Sequence, residues 1–260
     1  SVVVTGVQTC ALPISFKKLY NILFNHIQKE IIMYRISVTS LEAFRRFRDK
    51  HSIWDTEERV LNTLSGKKGP NAYAAIGSVF HSIVETGKAI YVGENTFEQE
   101  QDGFRVLMNG KAVENALYYR KQYPDAEHEV HKGKDFHCGL FPVHVHGYAD
   151  VKYRNVIRDI KTKYSQPHTR DYTESCQWSF YLELFGCDTF YFDLFHFKGY
   201  KRYMVTNTIN TDFVIYNPIE CLRDSKMEEK NAQIIKDFCK YIDEKNLYHL
   251  LKIKEDLYNI

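Results

Sequence analysis

No stretch of this 260-residue chain approaches the ~20 consecutive apolar residues that a bilayer-spanning helix needs, and no charged-then-apolar leader opens it. The sequence therefore predicts a protein with no membrane segment, working in the cytoplasm. Cysteine is sparse and scattered. The six, at 10, 138, 176, 187, 221 and 239, never fall within four residues of one another, which excludes a CxxC knuckle or redox pair and leaves mostly buried, reduced thiols. Net charge is scarce too: 35 Lys and Arg against 33 Asp and Glu leave +2, too mild to announce a nucleic-acid partner from bulk charge. Internal repeats and low-complexity tracts are absent.

What is present is apolar and aromatic. Hydrophobic residues make up 44% and aromatics 15%, enough in a chain of this length for one core, so a single domain is expected over 33–260. The first fifteen residues lack any amphipathic period, and Val4 to Ile14 resembles the translation of a sequencing-library adapter. Residues 1–32 are accordingly expected to be an artefactual or disordered extension, with Met33 as the start. Basic residues cluster twice, in Arg45, Arg46, Arg48, Lys50 and His51, and in Lys152, Arg154, Arg158, Lys161, Lys163, His168 and Arg170. Each run reads as a solvated face unless chemistry nearby gives it a purpose.

Periodicity predicts a strand at Tyr34 to Val38, then a helix from Leu41 to about Arg48 capped by Ser40. Ala72 to Thr86 reads as an amphipathic helix closed by Gly87, and Ala112 to Tyr123 as another stopped by Pro124. From Ala126 to Lys163 the period becomes two, giving successive strands. A helix opened by Asp171 and Glu174 should run to Phe185, with Gly186 at its exit. Strands at Thr189 to Phe197 and Arg202 to Ile209, around a KGYK turn, precede a long charged helix from Pro218 to about Lys245.

Chemistry concentrates in one hairpin. If GYADV and VIRDIKT are joined by a two-residue turn at Arg154-Asn155, antiparallel pairing sets residue i opposite 309 minus i and places Asp150 across from Asp159. Their Cβ atoms would lie roughly 4.5–5.5 Å apart, a repulsive arrangement that a divalent cation would cancel. Alternation puts Lys161 on the Asp159 face, with Val151, Val156 and Ile160 on the other. Hard carboxylate oxygens suit Mg²⁺ or Mn²⁺, and Lys161 could orient a water or neutralise charge growing on phosphorus. The other reading is a surface strand pair with ordinary charges, since D-x-K is a common tripeptide.

Two helical patterns join it. Gly77, His81 and Glu85 follow an i, i+4, i+8 series, and Gln177 and Tyr181 share a face one turn apart. A lone helical histidine is ordinarily structural, but beside two carboxylates it makes a mixed N/O site that favours Mn²⁺.

Taken in order, Gly77-Ser-Val-Phe-His81, Gly147-Tyr-Ala-Asp150, Asp159-Ile-Lys161 and Gln177-Trp-Ser-Phe-Tyr181 resemble the GxxxH, GxxD, (D/E)xK and QxxxY motifs of the PD-(D/E)XK nuclease superfamily. Within it, the resemblance is to the RecB-like and phage exonuclease branch. Ser37 to Phe47 is similar to the family's opening segment, and the match spans roughly Ile36 to Phe197. The resemblance implies an α/β (α+β), restriction-endonuclease-like core, a mixed central sheet flanked by helices. It implies a Mg²⁺ or Mn²⁺ ion held by His81, Asp150, Asp159 and the carbonyl of Ile160, with Asp150, Asp159 and Lys161 catalytic and Gln177 and Tyr181 near DNA. Lys163 and Arg170, within the basic run, are expected on the phosphate backbone, and Tyr148, Tyr164, Tyr172 and Trp178 on frayed bases. The implied partner is DNA, as duplex ends or single strands, in recombination, repair or phage DNA processing in a bacterial or phage-infected cell. A recombinase or single-strand-binding protein, or further copies of the chain, would complete the assembly. Iron–sulfur members carry a cysteine near the opening helix and a late cysteine cluster; Phe47 ends the opening motif here and Cys221 and Cys239 stand apart, so no cluster is expected. A structure-specific endonuclease and a non-catalytic DNA-binding protein are the alternatives.

Overall fold

The computed structural model describes residues 32–67, 71–93, 96–198 and 208–254. Among them, eleven strands form one mixed sheet flanked by helices, the α+β architecture expected. Strand β1 (Tyr34–Ser37) lies parallel to β6 (Val143–Tyr153), while β7 (Val156–Lys163) returns antiparallel to β6 and runs parallel to β8 (Thr189–Lys198). The sheet continues through β9 (Thr208–Ile215) and β4 (Phe104–Asn109) to β3 (Thr96–Gln101) and β2 (Ile90–Gly93). A short β11 (Lys252–Ile253) flanks β1, and β5 (Glu127–Phe136) pairs along β6.

Both faces of the centre are buried. On one side β1, β6, β7 and β8 pack against α1 (Val38–Arg48), α6 (Gln177–Phe185) and α7 (Met227–Glu244), around Leu41, Phe44, Phe180, Phe190 and Phe238. On the other, α3 (Ala72–Thr86) and α4 (Gly110–Gln122) bring Ile76, Phe80, Val113 and Tyr119 onto Val151, Ile160 and Phe195. Each fully buried Phe or Leu contributes about 1.5–3 kcal/mol, so both helix layers are held by apolar burial. Ile157 and Ile160, three residues apart on β7, fall in different cores because side chains alternate along a strand. On the second face, Arg158 is also buried. Its guanidinium makes two hydrogen bonds to Asp193, at 2.8 and 2.6 Å, and lies between the rings of Tyr123 and Tyr191.

The α3 boundaries are those predicted: the Asn71 side chain accepts the Tyr73 N–H, and Gly87 closes the helix at φ +68°. Elsewhere the structure corrects the reading. Helix α1 starts at Val38 and is capped by Ser37, whose Oγ accepts the Ser40 N–H at 3.0 Å. The helix predicted from Asp171 to Phe185 is broken: α5 (Thr169–Thr173) stops, the Cys176 N–H donates to Glu42 Oε2 at 2.8 Å, and α6 begins at Gln177. Asp171 meets His51 at 2.9 Å instead of capping a helix. Residues following Pro218 form β10 (Ile219–Leu222), which pairs with β8, and α7 starts only at Met227. Helix α2 (Glu57–Leu64) and the β2–β3–β4 meander were not foreseen. The meander did carry a signal, because Asp102 and Gly103, at φ +51° and +78°, form the Asp-Gly pair that two-residue hairpins favour. Most of the KGYK turn and most of the strand predicted at Arg202 to Ile209 lie outside the described residues.

Candidate metal and active site

The predicted register is the observed one. Val151 pairs with Arg158, Lys152 with Ile157 and Tyr153 with Val156, each summing to 309, and the turn is made by Arg154 in the left-handed region at φ +54°. The ladder ends at Val151 and Arg158, so Asp150 and Asp159 stand opposite one another just beyond it. The cause lies in β6. Strand β5 occupies one edge of β6 throughout, so β1, paired at 143–146, and β7, paired at 151–153, must share the other edge. Gly147-Tyr-Ala-Asp150 is the gap between them, a fork where β6 has no strand partner on that edge. At the fork, β7 would leave the N–H and C=O of Ile160 unpaired, which is costly for buried backbone. Asp150 Oδ2 accepts that N–H at 2.6 Å, and His81 Nε2 lies 3.0 Å from that carbonyl oxygen.

Two glycines permit this closure. A Cβ at Gly77 would lie 2.7 Å from Thr162 Oγ1 on β7, so glycine lets α3 settle close enough for His81 to reach Ile160. A Cβ at Gly147 would lie 2.8 Å from the Tyr181 ring, so the tyrosine of α6 fills the space beside the fork. The glycines of the GxxxH and GxxD patterns thus have packing reasons at this site.

The charges are compressed. Asp159 is 6% exposed and its Oδ2 lies 2.7 Å from the Lys161 Nζ. Burial pushes its carboxyl up to about 6, with Asp150 adding to the rise and the Lys161 ammonium opposing it. For Asp150 burial acts the same way, but His81, Lys161 and the Ile160 amide hold it below the usual carboxylate range. Burial disfavours the charged forms of His81 and Lys161, yet the facing carboxylates raise both. His81 Nδ1 stands 3.6 Å from Asp150 Oδ1. With Nε2 directed at the Ile160 carbonyl, Nδ1 is the nitrogen left to face a proton or a cation.

Glu129, which the sequence did not single out, completes the cluster. One ligand atom each from His81, Glu129 and Asp150 lies within 4.8 Å of the others. The β5–β6 register runs through on both sides of Glu129 and sets it opposite Asp150, with Glu129 in the left-handed region at φ +50°. That conformation costs a non-glycine residue about 1–2 kcal/mol. Burial, then Asp150, raises the Glu129 carboxyl. An open cleft of about 350 Å³, lined by Gly77, Ser78, His81, Ser82, Glu85 and Glu129, gives access from solvent. Two carboxylates and an imidazole are a donor set that Mn²⁺ or Mg²⁺ accepts.

No protein-family model and no curated protein matches the chain. Among solved structures, the crystal structure of SSO0001 is similar at 17% identity over 88% of this chain and 86% of that one, with a TM-score of 0.40.

Of the predicted site residues, His81, Asp150, Asp159, the Ile160 backbone and Lys161 converge at the fork. Gln177 starts α6 and is half-buried. Tyr181, expected near DNA, is 6% exposed inside the core, and Tyr172, expected to stack on a frayed base, is 4% exposed and offers no ring at the surface. Arg158 leaves the expected phosphate-binding run because Asp193 holds it in the core. Lys163 is half-buried over the Tyr172 ring, and Arg170 is exposed and paired with Glu174 at 2.6 Å. The three arginines of the first basic run are held in ion pairs: Arg45 with Glu42, Arg46 with Asp55, and Arg48 with Asp49 and Asp237. A row of rings occurs instead along β5 and β6, with Tyr148 and His131 exposed and His146 and His144 half-buried. Tyr148, 50% exposed, packs against His131 at 4.6 Å, His131 against His146 at 5.5 Å, and His146 stacks with His144 at 6.5 Å. No helix among the described residues is long and apolar enough to cross a membrane.

Proposed function

We propose that the protein is a metal-dependent deoxyribonuclease, an exonuclease of the RecB-like PD-(D/E)XK type that the four motifs resemble. The observation that carries this reading is the fork. There, three independent elements bring His81, Asp150, Asp159 and Lys161 to one place beside an open cleft, although the motifs that hold them are far apart in the sequence.

A divalent cation bound by the His81 and Asp150 side chains would supply Lewis acidity to a phosphodiester oxygen. The chain's own residues do the rest. Lys161, held by Asp159, presents an ammonium that offsets charge developing on the phosphate. Asp150 fixes β7 through the Ile160 amide, and the Ile160 carbonyl in turn orients the His81 ring. The Ile160 carbonyl retains a second lone pair for a cation. The rings of Tyr148, His131, His146 and His144 give single-stranded bases a surface on which to stack.

The test is digestion of end-labelled linear duplex, single-stranded DNA and closed circular plasmid with Mg²⁺ or Mn²⁺, using wild type, Asp150→Ala and Lys161→Ala. Loss of linear DNA alone, abolished in both variants, is expected. Cleavage of the circle would move the reading to a structure-specific endonuclease, and an inert wild type that binds DNA would refute catalysis by this chain alone.

A further inference from the structure

We infer that Glu129 is an inner-sphere ligand of the catalytic cation, joining His81 and Asp150 at the fork. This deepens the nuclease reading and rests on it only for the word catalytic; the cation site itself stands on geometry.

Three observations carry it. First, these three side chains alone among the described residues form a group of metal-competent atoms, all within 4.8 Å of one another. Second, Glu129 lines the open cleft together with His81, so its carboxylate faces the same solvent-accessible space as the imidazole. Third, the His81 ring is oriented from behind by the Ile160 carbonyl, which leaves Nδ1 facing Asp150 Oδ1 across 3.6 Å, too far for a good hydrogen bond. A cation lying among Nδ1, the Asp150 carboxylate and the Glu129 carboxylate would satisfy all three. An imidazole and two carboxylates form a mixed N/O set, so Mn²⁺ should bind more tightly than Mg²⁺. Glu85, one turn beyond His81 and lining the same cleft, lies outside the three-atom group and is assigned no inner-sphere role.

The experiment titrates Mn²⁺ into the full chain and follows free Mn²⁺ by electron paramagnetic resonance, with calorimetry in parallel, without DNA. The proteins are wild type, Glu129→Gln, Glu129→Gly and Glu85→Gln. Glutamine keeps the size of the side chain and removes its charge. Glycine removes the ligand while relieving the left-handed backbone, so this variant should melt at or above the wild-type temperature and cannot fail merely by misfolding. Both Glu129 variants are expected to bind Mn²⁺ about tenfold more weakly or worse, and Glu85→Gln to stay within about threefold of wild type. The inference is overturned if Glu129→Gly binds within twofold of wild type, if Glu85→Gln loses as much as Glu129→Gly, or if wild type binds no Mn²⁺. Glu129-dependent binding by a protein that cleaves no DNA would sustain this inference and sink the nuclease reading. Metal-dependent cleavage with unchanged binding in the Glu129 variants would do the reverse.

Discussion

Replacing Gly77 by alanine should weaken the protein even though alanine is the better helix former. In mid-helix the exchange by itself gains about 1 kcal/mol. The new methyl would arrive 2.7 Å from Thr162 Oγ1, about 0.7 Å short of ordinary van der Waals contact, and the obstacle belongs to a strand in the centre of the sheet. Overpacking of this kind costs about 1–3 kcal/mol, so the net change should run from near zero to a loss of about 2 kcal/mol. If α3 instead backs away by that distance, the 3.0 Å contact of His81 with the Ile160 carbonyl lengthens beyond hydrogen-bonding range and Mn²⁺ affinity falls. Thr162→Ala removes the obstacle. In that background Gly77→Ala should stabilise by about 0.5–1 kcal/mol, giving a coupling of about 1–3 kcal/mol across the four proteins in a urea-denaturation cycle. Additivity within about 0.5 kcal/mol, or a Gly77→Ala protein more stable than wild type, would refute the close-approach argument.

Arg158→Met should cost about 3–5 kcal/mol by leaving Asp193, which is 4% exposed, without its cation, while the triple variant Arg158→Met/Asp193→Leu/Tyr119→Phe, which also removes the hydroxyl that donates to Asp193, recovers most of the loss; thermal melts decide this, and Mn²⁺ binding should be unchanged in the triple variant. Asp159 gives the metal-free protein a pH dependence of defined sign. Its folded-state value, near 6, lies above the usual carboxylate value, so its contribution to stability is complete below about pH 4 and is lost as pH rises through 6; Asp159→Asn should flatten the melting temperature across that window. If Tyr148 stacks on single-stranded DNA, Tyr148→Ala should weaken binding roughly 5- to 150-fold, read by fluorescence anisotropy with Ca²⁺ in place of the active metal, and leave the melting temperature within about 1 °C because the ring is half exposed. An unchanged affinity would remove the ring path from the DNA reading.

Local rules determined what is local. The 3.6-residue stripe of Ile76, Val79, Phe80 and Ile83, with glycine after it, sufficed for α3 because a helix answers to neighbours three and four residues away. Period-two alternation and the length of the Arg154-Asn155 turn likewise set the register that places Asp150 opposite Asp159. Other features depended on partners remote in sequence. Glu42 ends the helix before Cys176 from 134 residues away, and Asp193 draws Arg158 out of a basic run that looked ready for phosphate. Glu129 in EHEV reads as one more charge on an alternating strand, and nothing within its own segment distinguishes it from Glu127. Only the pairing of β5 with β6, and the approach of α3 over the fork, bring its carboxylate to His81 and Asp150. A sequence can specify which residues share a strand face, but the meeting of three separate elements at a gap in a sheet is decided by tertiary packing, since the free energy that closes it comes from the two cores on either side.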